Sequence, residues 1–558
     1  MRVLGPETIA AAGQASITDL LQSQPGIEIV ANGGLGQPTN VLLGGYSGSQ
    51  TLVLVEGFRV GSATLGMTPL DQFLPTGFER IEVLRGAGSH LYGADAMGGV
   101  LQFFAPRGEG KPRLHASAGL GDWSTRRFDA GLRGSLEQLS FSLDAGRLLS
   151  DGMDATNAKA PFGIHNPDHD GFRHDHLLLS GGLILTPEHR LDLVGYRTQG
   201  HSEYDDGAGP NDTHSEVVQE LLGLTLRSRL SDIWLSELRA GLSQDDSRFF
   251  TSFGDSKYKT DQRQYAWQND WRLGASRVQA SVDRLEQSVS GSVAYTTQER
   301  DNTGLVLSGQ TRQGDHALEL TWRHDDNSQF GNHNTGALGY AWLGLQGWRL
   351  SARLASAFRA PSFNDLYYPD DGFSIGNPDL DPEESFSREI ALEGGVAGGL
   401  LRLACHDDRV SDLILWQFDA GVGKFTPDNV YKVNLTGCGI HYSGRLAGWN
   451  GRVGFDWQRA EIDATNKDVP WRSPRRLTLA AHRSFDAWEL GAELTASDKR
   501  YNDAANTQRL SGYTLVTLNA AYRLASEWRI EGRLANALNQ DYELVHGYNT
   551  PERNLFVT

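Results

Sequence analysis

Three residues with short oxygen-bearing side chains, Asn166, Asp168 and Asp170, stand at alternate positions and run into Gly171. Oxygen ligands at every second position resemble the opening of a calcium-binding loop. The helix–loop–helix version is excluded, because its twelfth position calls for a bidentate Glu and here is Leu177. Calcium takes about 6–8 hard oxygens, so other segments would have to complete the shell. Asp154 lies upstream in DGMDAT, and Tyr204, Asp205 and Asp212 follow in YDDGAGPND. Carboxylates gathered closely repel one another until a cation arrives. Ordinary solvated loop aspartates are the plainer reading, and the residues alone leave both open. His165, His169, His174 and His176 are close in sequence, but their spacing fits no tight tetrahedral zinc set.

The only two cysteines, Cys405 and Cys438, are centred on the same point as FDAGVGKF (418–425), the expected turn of a hairpin. In an antiparallel pair without a bulge they would face each other, which permits a disulfide in an oxidising compartment. A pair of small apolar residues on one face is the alternative. No catalytic set stands out. Runs such as SGS (47–49) lack the strand–elbow–helix setting of a nucleophile.

Two stretches of different grammar must position these groups. Residues 1–106 read as a compact α+β domain. A helix is predicted over Ser16–Ser23, with Leu20 and Leu21 on its apolar side and Pro25-Gly26 ending it. Short β-rich runs follow at 27–30, 40–43, 51–57 and 79–86, separated by glycine-rich turns, and GADAMGGVLQFF (93–104) closes the domain. Residues 107–558 then alternate in short runs to the end. In HALELTWRH (316–324), Leu318, Leu320 and Trp322 share one face, and Glu319, Thr321 and Arg323 the other. Alternation alone does not say which face looks outward, so a membrane barrel and a large soluble β-protein both fit. Length favours the barrel: the second stretch suits roughly 22 antiparallel strands, a bore wide enough to need a plug.

The bulk numbers agree. The chain has 558 residues, 39% of them hydrophobic, and a mean hydropathy of -0.41. No run approaches the roughly 18 apolar residues of a membrane helix, while a barrel needs only alternate residues to face lipid. The 65 glycines suit many strands and turns. A net charge of -18 argues against nucleic acid, which needs clustered cations. The opening MRVLGPETIAAAG lacks the apolar core of a secretory leader, so a processed or truncated form is expected.

PGIEI (25–29), LVLVEGFRV (52–60) and ERIEVLRGAGSHLYGADAMGGV (79–100) resemble the plug domain of TonB-dependent outer-membrane receptors. FRAPSFNDLY (358–367), GNPDLDPEES (376–385) and NALNQDYE (536–543) resemble their barrels, so the resemblance spans nearly the whole chain. NGGLGQPTNVLLGG (32–45), RHDDNSQFGNH (323–333), RVSDLI (409–414) and YELVHGYNTPER (542–553) are most similar to the branch that transports vitamin B12. There are departures. Gly44-Gly45 stands where such plugs usually carry Arg-Gly, which implies a rearranged plug–barrel contact. No TonB box is found before Val3, and the last strand, LFVT (555–558), is shorter than the resemblance implies.

The resemblance implies an all-β transmembrane barrel with the N-terminal domain in its lumen, a monomer in the bacterial outer membrane. It implies import of a cobalamin-type corrinoid, powered through the TonB energy-transducing protein on the periplasmic side. The substrate would meet two apical plug loops, Leu35, Gly36, Gln37, Pro38, Thr39 and Asn40 in the first and Val60, Gly61, Ser62, Ala63, Thr64 and Leu65 in the second, which runs to Thr68. Calcium bound by Asp154, Asp168, Asp170, Tyr204, Asp205 and Asp212 would order the extracellular loops. A ferric-siderophore receptor of the same fold is the alternative cargo. A barrel-anchored surface-binding protein and a soluble β-rich enzyme are the readings from other classes.

Overall fold

The computed structural model describes residues 2–13, 16–209 and 212–558. Twenty-two antiparallel strands close into a barrel, from Arg113–Gly121 to Asn554–Val557. The last strand pairs with the first through Phe556 opposite Gly121 and Val557 opposite Leu120. Connections at one end are tight, such as Pro187-Glu188, Gly274-Ala275 and Gly314-Asp315, and those at the other end are long. Barrels of this type carry their long loops outside the cell and their short turns in the periplasm.

The polarity of the strands decides between lipid and water. In the strand His316–Asn327, Leu318, Leu320 and Trp322 are 47%, 60% and 45% exposed, whereas Thr321 and Arg323 are each 1% exposed. A soluble sandwich would bury the leucines. Here the apolar side chains face outward and the polar face turns to the bore, where Thr321 and Arg323 are buried and Glu319 is open, which is the arrangement a bilayer requires. Arg323 is sustained there by two carboxylates, Asp283 at 2.6 Å and Asp325 at 2.7 Å.

The first hundred residues fill the bore. The predicted helix forms over Ile17–Gln22, after a short helix at Pro6–Ala11, and Ser16 caps it by accepting from the Asp19 amide at 3.1 Å. Its buried face, Ile17, Leu20 and Leu21, packs onto a five-stranded sheet ordered Arg2–Leu4, Arg80–Arg85, Gly99–Phe104, Thr51–Val55, Phe58–Arg59. The hairpin of Ile27–Ala31 with Thr39–Leu43 lies beside it. This core is not closed by plug residues alone. Val194, Tyr196 and Leu221 of the wall belong to the same apolar cluster, and the Tyr196 ring lies 5.5 Å from Phe73 and 5.9 Å from Phe78.

Polar anchors join plug to wall around the circumference. Asp456 accepts from the Gly26 amide at 2.8 Å, Gln458 donates to Glu28, and Arg533 lies 3.3 Å from Asp19. At the Gly44-Gly45 departure the guanidinium comes from the opposite side: barrel Arg472 donates to the Gly45 carbonyl at 2.8 Å. One deeply buried anchor is a triad. Glu383 accepts from Arg359 at 2.8 Å, from the Ile414 amide at 3.0 Å and from plug Gln50 at 2.7 Å, while Arg359 also donates to Asp365 at 2.9 Å.

Candidate functional site

The extracellular mouth is built from the two plug loops, the wall rim and the long barrel loops. The first plug loop lies between Ile27–Ala31 and Thr39–Leu43. Gly36 has φ +77°, and a Cβ there would sit 2.1 Å from Cδ2 of Phe172 on the wall, so only glycine lets the loop approach so closely. Gln37 is buried and donates to the Glu203 carbonyl at 2.6 Å, and Thr39 donates to the Gln37 carbonyl at 2.9 Å. Asn40 accepts from the Gly48 amide at 2.6 Å. Pro38 is exposed, and Leu35 and Asn40 are half-buried.

The second loop is bolted down in the same way. The Ala63 amide donates to Thr260 at 3.0 Å, and the Ala63 and Thr64 carbonyls accept from the amides of Phe363 and Asn364, each at 3.1 Å. Ser62 and Thr64 share a hydrogen bond at 2.6 Å. Val60, Gly61, Ser62, Ala63 and Thr64 are buried, and Leu65 projects outward, 42% exposed. These loops therefore offer a ligand a narrow crest, Pro38 and Leu65 above all, on a base held rigidly by the wall.

The acidic residues converge beside this crest. Asp168, Asp170 and Asp205 form one group, and Asp154, His165 and Asp205 another, each with its donor atoms within 4.8 Å of one another. Asp205 belongs to both. Burial, reinforced by the charges of Asp205, Asp168 and Asp154, pushes the Asp170 carboxyl up to about 7. This residue is at the extracellular tip of its strand, outside the lipid belt. Burial also raises Asp154 and Asp205. Desolvated, mutually repelling carboxylates are what a hard cation relieves.

Two of the expected calcium ligands take other partners. The Tyr204 hydroxyl donates to the Phe250 carbonyl at 3.3 Å, and burial pushes its phenol up to about 12. Asp212 is in neither group; its carboxylate lies 3.2 Å from His214. Of the four histidines near the acidic run, His165 joins the cluster, whereas His174 is fully buried and bonds the Gln72 carbonyl at 2.8 Å. The 154–169 loop is also tied to the segment before the last strand, where Asn549 donates to the Asp154 carbonyl at 3.0 Å.

The sequence reading passed over an aromatic group beside the second plug loop. Tyr295 donates to Asn364 at 2.5 Å and packs edge-on against Phe363, while Tyr368 packs edge-on against Trp416. Phe162, Phe253 and Phe373 are strongly exposed on three of the long loops. Aromatics in loops rich in Gly and Asp were the available signal. Cys405 and Cys438 face each other across the outer wall and are joined by a disulfide.

Comparison with known proteins places this geometry. The family described as TonB dependent receptor-like, beta-barrel matches residues 104–537, and the TonB-dependent Receptor Plug Domain matches residues 1–100. The vitamin B12 transporter BtuB of Photobacterium profundum is 32% identical over 564 aligned positions, covering 100% of this chain and 91% of that protein. Among solved structures, the ferric enterobactin receptor PfeA of Pseudomonas aeruginosa superposes with a TM-score of 0.85 at 18% identity, covering 100% of this chain and 97% of the other. The siderophore receptor PirA of Acinetobacter baumannii gives a TM-score of 0.83 at 15% identity with the same coverage. At such identities the structural likeness carries the fold and not the cargo.

Proposed function

This chain belongs to the TonB-dependent outer-membrane receptors, and we propose that its cargo is a cobalamin-type corrinoid. As a member of that family it is a transporter of the outer membrane and not an enzyme. The observation that carries the corrinoid reading is the similarity, over the whole of this chain and 91% of the relative, to a vitamin B12 transporter.

The mouth is consistent with such a solute. A wide, flat ligand settles on the crest of Pro38 and Leu65, with the loop aromatics around it. Calcium is the ion the acidic cluster suits. Asp154, Asp168, Asp170 and Asp205 supply hard oxygens, and Asp205 couples the loop after Met153 to the loop after Glu203. Bound there, the ion would neutralise the cluster and fix both loops against the rim.

The closed bore sets the requirement for transport. Among the described residues the plug is held to the wall by hydrogen bonds such as Gln50 to Glu383 and by a shared apolar core, and it fills the bore at rest. The TonB energy-transducing protein, acting from the periplasm, would supply the work that shifts the plug. Ligand binding contributes only as far as it favours one plug arrangement over another.

The test is calorimetry of the detergent-purified protein with cyanocobalamin, with and without calcium. Binding that calcium strengthens is the expected result. No heat in either case, beside strong binding of a ferric chelate, would replace the corrinoid with a siderophore.

A further inference from the structure

A second cluster of metal-ligating side chains lies on the outer face of the wall, at the root of the connection that carries Asp205, and shares no residue with the acidic groups of the mouth. His201 is near the end of the strand His189–Glu203, and His214 opens the next strand, His214–Arg229. The ladder sets His201 directly opposite Glu216 and His214 opposite Glu203. All four positions share the outward face, because side chains alternate along a strand. His201, His214 and Glu216 bring their donor atoms within 4.8 Å of one another, and the two imidazole rings are 4.4 Å apart.

Three features mark this as more than a chance grouping of polar residues. First, His214 is oriented. Its Nδ1 lies 3.1 Å from the Asp212 carbonyl and 3.2 Å from the Asp212 carboxylate, so Nδ1 carries the proton and Nε2 keeps its lone pair. A carboxylate behind a histidine is the usual support of a metal ligand. Second, the ring is held from its other side by Phe250, whose centroid is 4.3 Å away. Third, among the described residues no side chain donates a hydrogen bond to Glu216, so its carboxylate is not already committed.

The three ligands are half-buried and lie toward the extracellular end of the wall. Leu222 and Leu224 are the lipid-facing residues of the second strand, 50% and 42% exposed. Glu216 lies about 20 Å along the strand from Leu222 at roughly 3.3 Å per residue, beyond the hydrocarbon and toward the extracellular loops.

The geometry points to a binding site for a borderline divalent transition ion, with His201, His214 and Glu216 as ligands and water in the fourth place. Two imidazoles and one carboxylate with an open position match zinc chemistry, whereas calcium, which takes only oxygen, belongs to the inner cluster. The ion would join the two strands at the root of the 204–213 connection, the segment that carries Asp205. This site rests on its own residues and stands whether or not the cargo is a corrinoid.

The experiment uses the full detergent-purified chain, stripped of metal and then saturated with calcium to fill the inner groups. Zinc is titrated by calorimetry, and Co2+ is used as a spectroscopic stand-in for coordination geometry. One equivalent of zinc is expected to bind, with a tetrahedral Co2+ spectrum. His201→Ala and His214→Ala should each weaken it by about 100-fold or more, and Asp212→Asn by about 10-fold, as loss of an outer-shell partner does. His165→Ala should leave it unchanged. Heat-modifiable migration on gels verifies that each variant still forms a barrel, and Glu216→Gln, which keeps the side-chain volume, provides a second variant. The inference is overturned if the parent binds no zinc, if the two histidine variants bind like the parent, or if His165→Ala abolishes binding.

Discussion

Replacing Glu383 with Ala tests whether the buried triad locks plug to wall. The carboxylate is 1% exposed and accepts from three donors, the Arg359 guanidinium, the Ile414 amide and plug Gln50. Its removal orphans all three. An unsatisfied buried donor costs about 1–3 kcal/mol, more when it is charged. Arg359 keeps Asp365, and water entering the vacated space recovers part of the loss, which brings the sum to about 3–5 kcal/mol, the range for breaking a buried pair. Such a protein unfolds irreversibly, so the cost is better read as local opening than as a global free energy. Hydrogen exchange followed by mass spectrometry should show rates about 100- to 1000-fold higher in peptides covering 47–55 and 360–367, since about 1.4 kcal/mol is a factor of 10. Glu383→Gln, which keeps one acceptor oxygen, should recover part of the protection. Exchange within threefold of the parent for Glu383→Ala in both peptides would refute the idea that the triad carries the coupling.

Other outcomes follow from the mouth. Asp205→Asn removes the carboxylate common to both acidic groups and should weaken calcium binding by about 10-fold or more, measurable by calorimetry; an unchanged affinity would separate Asp205 from the ion. Acidification should act in the same direction. With Asp170 raised to about 7, protons compete with the cation below that pH, so calcium affinity should fall between pH 8 and pH 6, and a flat profile would contradict it. Without calcium the linkage reverses: a raised carboxyl stabilises the folded loops at low pH and loses that contribution as pH climbs through about 7. Gly36→Val should force the first plug loop off the wall, because its Cβ overlaps Phe172; ligand affinity should drop, and Phe172→Ala in the same chain should restore part of it.

The barrel was legible because its constraint is repeated. Every strand must show lipid one face and the lumen the other, and stretches such as 316–324 carry that alternation in their residues. The hairpin turn within 418–425 was equally legible, since Asp419 does pair with Lys424. Irregularities on both strands between Val410 and Ile414 cancel, so the register below them is the one a smooth hairpin would have. What could not be read is which face of a loop meets its neighbour. The hydroxyls and amides of the plug loops suggested ligand contact, yet Gln37, Ser62 and Thr64 are all buried: Gln37 bonds the wall, and Ser62 and Thr64 bond each other. A loop enclosed in a tube must satisfy its polar groups against the tube first. Asp212 is close to Asp205 in sequence but turns to His214, because the chain re-enters the wall there with that side chain facing out. The triad of Gln50, Arg359 and Glu383 joins three remote segments, and no local pattern announces it.

The shared apolar cluster has a mechanical consequence. Phe73 and Phe78 lie against Tyr196 of the wall, so dragging the plug inward bares those rings to water on both sides of the gap. Water's aversion to that surface opposes the pull and grows with displacement. Were the plug drawn inward and then released, the same aversion would seat the stopper again, as a spring does, with no second energy source to reset it.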